Sequence, residues 1–406
     1  MAQIVAFNGL RPRKELADKV AELPYDVVDS EEAKVIAGDN RYSFFHVSKP
    51  EIDLGSEIDP YSKEVYNRGR QNLEAFINES IMVKDDEPKL YLYTLEMDGR
   101  SQTGIVCCVS IDDYLNDIVK KHELTREDKE KDRMTHLDIL NAQTGLVYLL
   151  YREDGSVRSI IQKAAAAEPE YDFTADDGIR HTIRVIDATA MQQKLIESMV
   201  SRDLYIADGH HRAASAVKVG QKRRNEGMKD GEHNHFLAVL FPHDELRILA
   251  YNRVVRDLNG MSVDAFIEKL GNEFDVEKST VSVPEQKHQV CMFLDGSWYT
   301  LSYKGEVPAD PVGSLDVKIL QDRVLSALLG IENPRKDSRI NFVGGIRGTS
   351  ELEKLVNNGK YQAAFSMYPT SVEDLINVSD TGNIMPPKST WFEPKLRSGL
   401  IVHLLD

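Results

Sequence analysis

The sequence predicts a mixed α/β protein of the α+β kind, with sheets that are at least partly antiparallel. Three observations predict it. Strand-like and helix-like stretches alternate along the whole chain, two pairs of apolar runs are joined by Asp-Gly turns, and no internal repeat or long low-complexity tract interrupts the pattern. Leu90 to Leu95 alternates large apolar and aromatic residues, Asp98-Gly99 offers a tight turn, and Thr103 to Ile111 returns as its partner. Further strands are expected at 204–207, 236–241 and 246–251, and a second hairpin joins 290–294 to 298–303 through Asp295-Gly296. Among helices, Asp59-Pro60 opens one carrying Tyr61, Val65, Leu73, Phe76 and Ile77 at three-to-four spacing. Ser262 caps another through Leu270, a third runs from Leu315 to Leu329 and stops at Gly330, and shorter ones fall at 351–356 and 372–376. The polar stretch Arg223 to Asn234 reads as a mobile loop. With 406 residues, two domains are expected, at 1–257 and 258–406.

Composition narrows the function classes. Fifty Lys and Arg against 66 Asp and Glu give a net charge of −16, which opposes non-specific binding to a nucleic-acid backbone and leaves room only for a local basic pocket. No window approaches the apolar length of a membrane span, and the opening residues lack the pattern of a signal peptide, so a cytoplasmic protein is expected. The three cysteines, Cys107, Cys108 and Cys291, fit neither a disulfide framework nor a zinc site, and read as core thiols. The sequence holds no GxSxG, HExxH, GxGxxG or P-loop spacing.

The segment with the strongest chemical signature is Leu204-Tyr205-Ile206-Ala207-Asp208-Gly209-His210-His211-Arg212. An apolar strand ends at Asp208, turns on Gly209 and starts an Ala-rich helix, so free N–H groups and the helix dipole favour an anion there. Gly209 permits close approach and Arg212 adds a planar fork suited to phosphate. Asp208 suits Mg²⁺ or the proton of a substrate hydroxyl. His210 and His211 are adjacent on a helix and diverge, which argues against their sharing a metal. Arg212 is expected to be exposed and removable with the fold intact. A capped helix with surface histidines is the plainer alternative.

Two other segments join it. In Lys120 to Arg133, alternating charge is ordinarily a solvated helix face. Here Thr125 and Asp128 make a capping pair that leaves His122 and Glu123 in the preceding loop. Near the end, Met385-Pro386-Pro387-Lys388-Ser389-Thr390-Trp391-Phe392-Glu393-Pro394-Lys395 presents Lys, Ser and Thr as phosphate donors after an extended approach, or is a terminal linker packed through Trp391 and Phe392. Pro24-Tyr25-Asp26-Val27 precedes a helix cap at Asp29, with Tyr25 and Asp26 facing a ligand or forming a turn. The Gly-rich Phe342 to Gly348 is read as a plain turn.

Taken in order, Pro24-Tyr25-Asp26-Val27, Phe45-His46-Val47, His122-Glu123-Leu124-Thr125-Arg126 with Lys129-Glu130 and Asp132-Arg133, Ile206 to Arg212, and Met385 to Thr390 resemble a widespread bacterial family filed as a domain of unknown function. The Asp-Gly-His-His-Arg element in turn is similar to the phosphate-binding motif of the ParB/sulfiredoxin-like fold, some of whose members are kinases of free L-serine. The resemblance implies a ParB/sulfiredoxin-like nucleotide-binding core with an additional α/β domain, whose Pro-Pro-Lys-Ser-Thr segment returns to the site. The implied activity is a small-molecule kinase that uses ATP or ADP with Mg²⁺ to phosphorylate a small hydroxyl compound, free serine foremost. Asp208, Glu123 and His211 would be catalytic, with Asp208 and Glu123 holding Mg²⁺. Gly209, His210, His211, Arg212, His122, Arg126, Lys131, Arg133, Lys388, Ser389 and Thr390 would bind the nucleotide. The alternative is a nucleotide-gated binding module with slow hydrolysis. The motif lacks the reactive Cys of sulfiredoxin, no helix-turn-helix follows as in partition proteins, and Lys120 and Lys121 depart from the family pattern. No nucleic-acid or membrane partner is expected, and the oligomeric state is left open.

Overall fold

The computed structural model describes residues 2–55 and 57–406. The chain divides into two compact units, one of residues 1–246 and 394–406 and the other Arg247–Glu393. The division thus falls eleven residues before the expected boundary at 257/258, and the last thirteen residues belong to the first unit. A composition shift marks neither junction.

The first unit is built on a mixed nine-stranded sheet. Leu204–Asp208 lies between the short edge strand Val119–Lys120, parallel to it, and Val147–Tyr151, antiparallel to it. The order continues through His235–Pro242, Arg100–Ser110, Leu90–Met97, Arg180–Ile186 and Tyr171–Thr174, with Ile4–Val5 beside Arg100–Ser110. The hairpin 90–97/100–110 forms as expected, since Asp98 (φ 53°) and Gly99 (φ 73°) both take the left-handed conformation that a tight turn requires. Cys107 alternates inward with Ile105 and Val109 into the core beneath this sheet, and all three cysteines are buried and free. A four-stranded sheet orders Met82–Lys84, Gly9–Pro12, Val402–Leu404 and Ala142–Gln143, so the chain's last strand sits inside the first unit.

The helix His210–Asn225 buries Ala213, Ala214, Ala216, Val217, Val219 and Gly220. Small residues let it lie close to its neighbours. A Cβ on Gly220 would stand 2.4 Å from the His233 carbonyl oxygen and 2.6 Å from Ile111 Cδ1. Gly220→Ala should therefore destabilise the protein by about 1–3 kcal/mol through overpacking, more than the ~1 kcal/mol that alanine gains in a helix. Urea unfolding checks this: the midpoint falls with the slope unchanged.

Two expectations for this unit are corrected. The expected polar loop 223–234 is helical through Asn225 and again at Glu232–Asn234, because Arg224 forks onto Asp112 (2.6 and 3.0 Å) and Arg223 reaches Asp138 (3.2 Å). The helix expected from Asp59-Pro60 begins at Lys63 after Ser62, leaving Tyr61 exposed ahead of it, while Val65, Leu73 and Phe76 are buried as read.

The second unit carries a six-stranded antiparallel sheet in the order Phe274–Ser279, Ser297–Tyr303, Gln289–Leu294, Ala363–Met367, Tyr251–Val255, Ile340–Gly344. Ser262 caps Val263–Leu270 by accepting from the Ala265 N–H, and Ser371 and Asp374 form a capping box on Val372–Asp380. The expected strand 246–251 is two strands, Arg247–Leu249 and Tyr251–Val255. The Gly-rich turn is explained by packing. A Cβ on Gly345 would meet the Ala250 carbonyl oxygen at 2.7 Å, and one on Gly344 the Trp391 ring at 2.9 Å.

Candidate functional site

The site is set by how Leu204–Asp208 ends. Its register against Val147–Tyr151 shifts between Ile206 and Asp208, a bulge that re-aims the last residue of the strand. Gly209 follows at φ 92°, a conformation glycine adopts without steric cost, and the sixteen-residue helix starts at His210 with no side-chain cap. The Gly209 N–H donates to Asp208 Oδ1 (2.8 Å), and the first helical bond is Ala213 N–H to the Gly209 carbonyl. The N–H groups of His210, His211 and Arg212 thus stand outside the helix's own ladder, at its positive end.

The side chains of this turn go to different places. His210 turns inward, its ring edge-to-face with His122 at 4.5 Å between centroids, and its Nε2 is buried with no hydrogen-bond partner. His211 turns the other way, and its Nε2 accepts from the Arg126 N–H (3.0 Å). The two rings diverge, as their adjacency on a helix requires. Asp208 Oδ2 lies 3.3 Å from Lys395 Nζ and 3.8 Å from Arg212 Nη2, and Arg212 Nη2 lies 3.6 Å from Asp26.

Arg212 is not exposed, contrary to expectation. Its side chain is 10% exposed and donates through Nη1 to the Leu146 carbonyl. Two glycines leave it room. A Cβ on Gly209 would stand 3.1 Å from its Cζ, and one on Gly145 3.2 Å from its Cδ. A helix-start position on the sequence does not reveal that the side chain folds back between two backbone turns. Arg212 also lines a cleft in this unit with Tyr25, Ser48, Arg133, Gln143 and Thr144. Across that cleft the Arg133 guanidinium packs over the Tyr25 ring at 4.0 Å and pairs with Asp132 (2.8 Å), which also accepts from Tyr66 Oη (2.8 Å).

The charged segment splits. His122 and Glu123 lie in the loop ahead of the helix Glu127–Leu140, as expected. The capping pair does not form: Thr125 Oγ1 donates to Glu130 Oε2 (2.7 Å), while Asp128 pairs with Arg126 (2.7 Å) on the surface. Glu130 and Asp132 are buried, so the segment is more than a solvated face. Lys131 is exposed on the outer side of the helix, and no contact of its side chain ties it to Asp208. Lys120 and Lys121 point to Asp203 (3.7 Å) and Asp117 (3.6 Å). Lys388, Ser389 and Thr390 belong to the second unit. Lys395, the cation nearest Asp208 in these contacts, was missed by sequence reasoning. Only its place seven residues after Lys388, in a segment already singled out, could have pointed to it.

Electrostatics follow from burial. Burial alone would raise the Asp208 carboxyl, but Lys395 and Arg212 overcome it and hold the group well below the usual carboxylate range. Burial lowers His122 to about 4, against the pull of Asp208 and a hydrogen bond to the Ile206 backbone. Burial likewise holds His210 well below the ordinary histidine range, aided by His122. Both rings are neutral at pH 7. The Mg²⁺ expected on Asp208 and Glu123 finds no assembled donor set. Asp208 is already engaged by two cations, and among the described residues no three His, Cys, Asp or Glu side chains gather to hold an ion.

A pH prediction follows. A histidine whose folded pKa is lowered stays neutral in the native state while the unfolded chain binds its proton, so stability is present above about pH 6.5 and is lost as pH falls. His122 (about 4), His136 (about 3) and His181 (about 3) all act in this sense, and His210 with them. Each contributes a slope of about 1.4 kcal/mol per pH unit below pH 6.5. Glu22, raised by burial to about 7, works oppositely between pH 4.5 and 7 and offsets one of them. Thermal unfolding from pH 7 to 4.5 should show a midpoint falling steeply below pH 6.5, and a flat profile would contradict the burial of these rings.

No curated protein matches this chain. No helix among the described residues is long and apolar enough to cross a membrane. Solved structures it resembles include a free serine kinase in complex with AMP, at 11% identity, 71% of this chain, 86% of that chain and a TM-score of 0.36. A conserved hypothetical protein from Pyrococcus furiosus matches at 13% identity, 74% and 95% coverage and 0.36. SbnI with a C-terminal truncation, from Staphylococcus aureus, matches at 11% identity, 71% and 82% coverage and 0.38. Likenesses of this size carry neither a fold nor a chemistry to this chain. The family model described as "Protein of unknown function (DUF1015)" spans residues 4–318, and the chain belongs to that family.

Proposed function

We propose that the turn from Asp208 to Arg212 is the phosphate-binding element of a small-molecule kinase with a ParB/sulfiredoxin-like core, acting from ATP or ADP on a small hydroxyl compound, free serine being the first acceptor to try. The observation that carries the reading is the juxtaposition at one strand-to-helix turn of a φ 92° glycine, a helix N-terminus and the buried Arg212. Phosphoryl transfer asks the protein mainly for positioning and for charge on the transferred oxygens. The N–H groups of His210, His211 and Arg212 and the forks of Arg212 and Arg133 supply these. The neutral His210, with an unused Nε2, is suited to a hydrogen bond with a ligand rather than to a metal shared with His211.

Asp208 is the carboxylate closest to this turn, but held so far below its usual range it is a weak base at pH 7. Its first role is to hold Lys395 and Arg212 until phosphate competes for them. The same observation favours a second reading, a nucleotide-gated module that closes on phosphate with little turnover. Titration with ADP and with ATP tests the shared premise: micromolar to millimolar binding that weakens with salt supports it, and no binding to either sinks both readings.

A further inference from the structure

Ser48 follows Phe45-His46-Val47, one of the stretches that carry the family resemblance. Its short helix, Phe45–Ser48, is tied to the helix Glu127–Leu140 by His136, whose Nε2 meets the Val47 carbonyl at 3.0 Å. A carbonyl oxygen only accepts, so Nε2 carries the proton. Burial keeps the ring neutral, lowering its pKa to about 3, and Nδ1 is left as a bare acceptor. Ser48 itself is 4% exposed, and its Oγ is buried with no hydrogen-bond partner. A buried hydroxyl without a partner costs stability, so its presence asks for a use.

Ser48 and His136 both line the cleft of the first unit that Arg133 and Arg212 also line. Leu137, Val147, Ala216 and Phe236 give it an apolar wall. Its volume, about 40 Å³, takes about three waters, which limits a ligand to a few carbons. Arg212 Nε is buried without an acceptor, and among the described residues that line the cleft there is no Asp or Glu. Asp26, Asp132 and Asp208, which pair with the two guanidiniums, are not part of the lining. The cleft thus suits a carboxylate and a hydroxyl. An ammonium finds no anion there to set against its charge.

We propose that this cleft binds a small 2-hydroxy acid in preference to the corresponding amino acid, the 2-hydroxyl donating to His136 Nδ1 and accepting from Ser48 Oγ. The carboxylate lies on the guanidinium side. A hydroxyl both donates and accepts, as this pair requires, whereas an ammonium only donates. The inference deepens the kinase reading, on which it rests for the claim that the bound compound is the acceptor. It moves the favoured acceptor from serine to glycerate, which has the same primary hydroxyl and carries a hydroxyl where serine has its ammonium.

The test is calorimetric titration of the full chain, without nucleotide, with racemic glycerate and with racemic serine, in the parent and in Ser48→Ala. Glycerate should bind the parent about tenfold tighter than serine or better, and Ser48→Ala should weaken glycerate about tenfold while leaving serine unchanged. The thermal midpoint of ligand-free Ser48→Ala should equal or exceed that of the parent, because the lost hydroxyl has no partner to lose. A purely structural Ser48 would lower that midpoint and leave the preference intact. Serine binding the parent as tightly as glycerate, binding of neither, or glycerate titrations that superimpose in parent and variant overturn the proposal. The first two of these need no variant. Failure of the kinase reading shows differently, as glycerate binding by a protein that takes up neither ATP nor ADP.

Discussion

Arg212→Lys should lower nucleotide-dependent phosphoryl transfer by at least about 100-fold, the size of effect seen when one preorganised donor to a transition-state oxygen is removed. Lysine keeps the positive charge between Asp26 and Asp208 but loses the fork, so the loss measures geometry rather than charge. Arg212→Ala is the less informative variant. It leaves two carboxylates without their shared cation and opens a void between Gly145 and Gly209. Because Asp26 is 37% exposed, solvent softens that penalty, and about 2–3 kcal/mol of stability is the expected loss. Activity of Arg212→Lys under conditions where urea unfolding shows it folded checks the claim. Parental activity would remove Arg212 from the phosphate site.

Asp208→Asn should separate binding from transfer. The substitution keeps the acceptor for the Gly209 N–H through the amide oxygen, so the turn survives. It releases Lys395 and Arg212 from their carboxylate, so nucleotide affinity is unchanged or higher. Transfer falls by about 10²–10⁴-fold if Asp208 orients the acceptor hydroxyl or takes its proton. Affinity and turnover measured on the same preparation decide the matter. A variant with weaker binding and normal turnover at saturating nucleotide would show that Asp208 serves only the structure of the turn.

Much of this was legible in the sequence because it rests on local rules. The Asp98-Gly99 and Asp295-Gly296 turns, the Ser262 cap, and the divergence of His210 from His211 follow from backbone preferences within a few residues. What was not legible depends on contacts distant in sequence. Arg212 reads as an exposed helix start until Gly145, 67 residues earlier, is seen to make room for its stem. Lys395 reaches Asp208 across 187 residues, and the closing strand Val402–Leu404 returns to the first unit. The polar run 223–234 looks like a loop because its partners, Asp112 and Asp138, lie about a hundred residues away.

The central claim is that the Asp208–Arg212 turn handles phosphate for transfer to a hydroxyl. Phosphorus NMR of the purified protein with Mg²⁺, ATP or ADP, and a pool of free serine and other hydroxy acids tests it directly. The account predicts a new phosphomonoester signal with the parent protein and none above background with Arg212→Lys. An ester that forms equally well with both proteins, or nucleotide that binds the parent without any ester appearing, would contradict it.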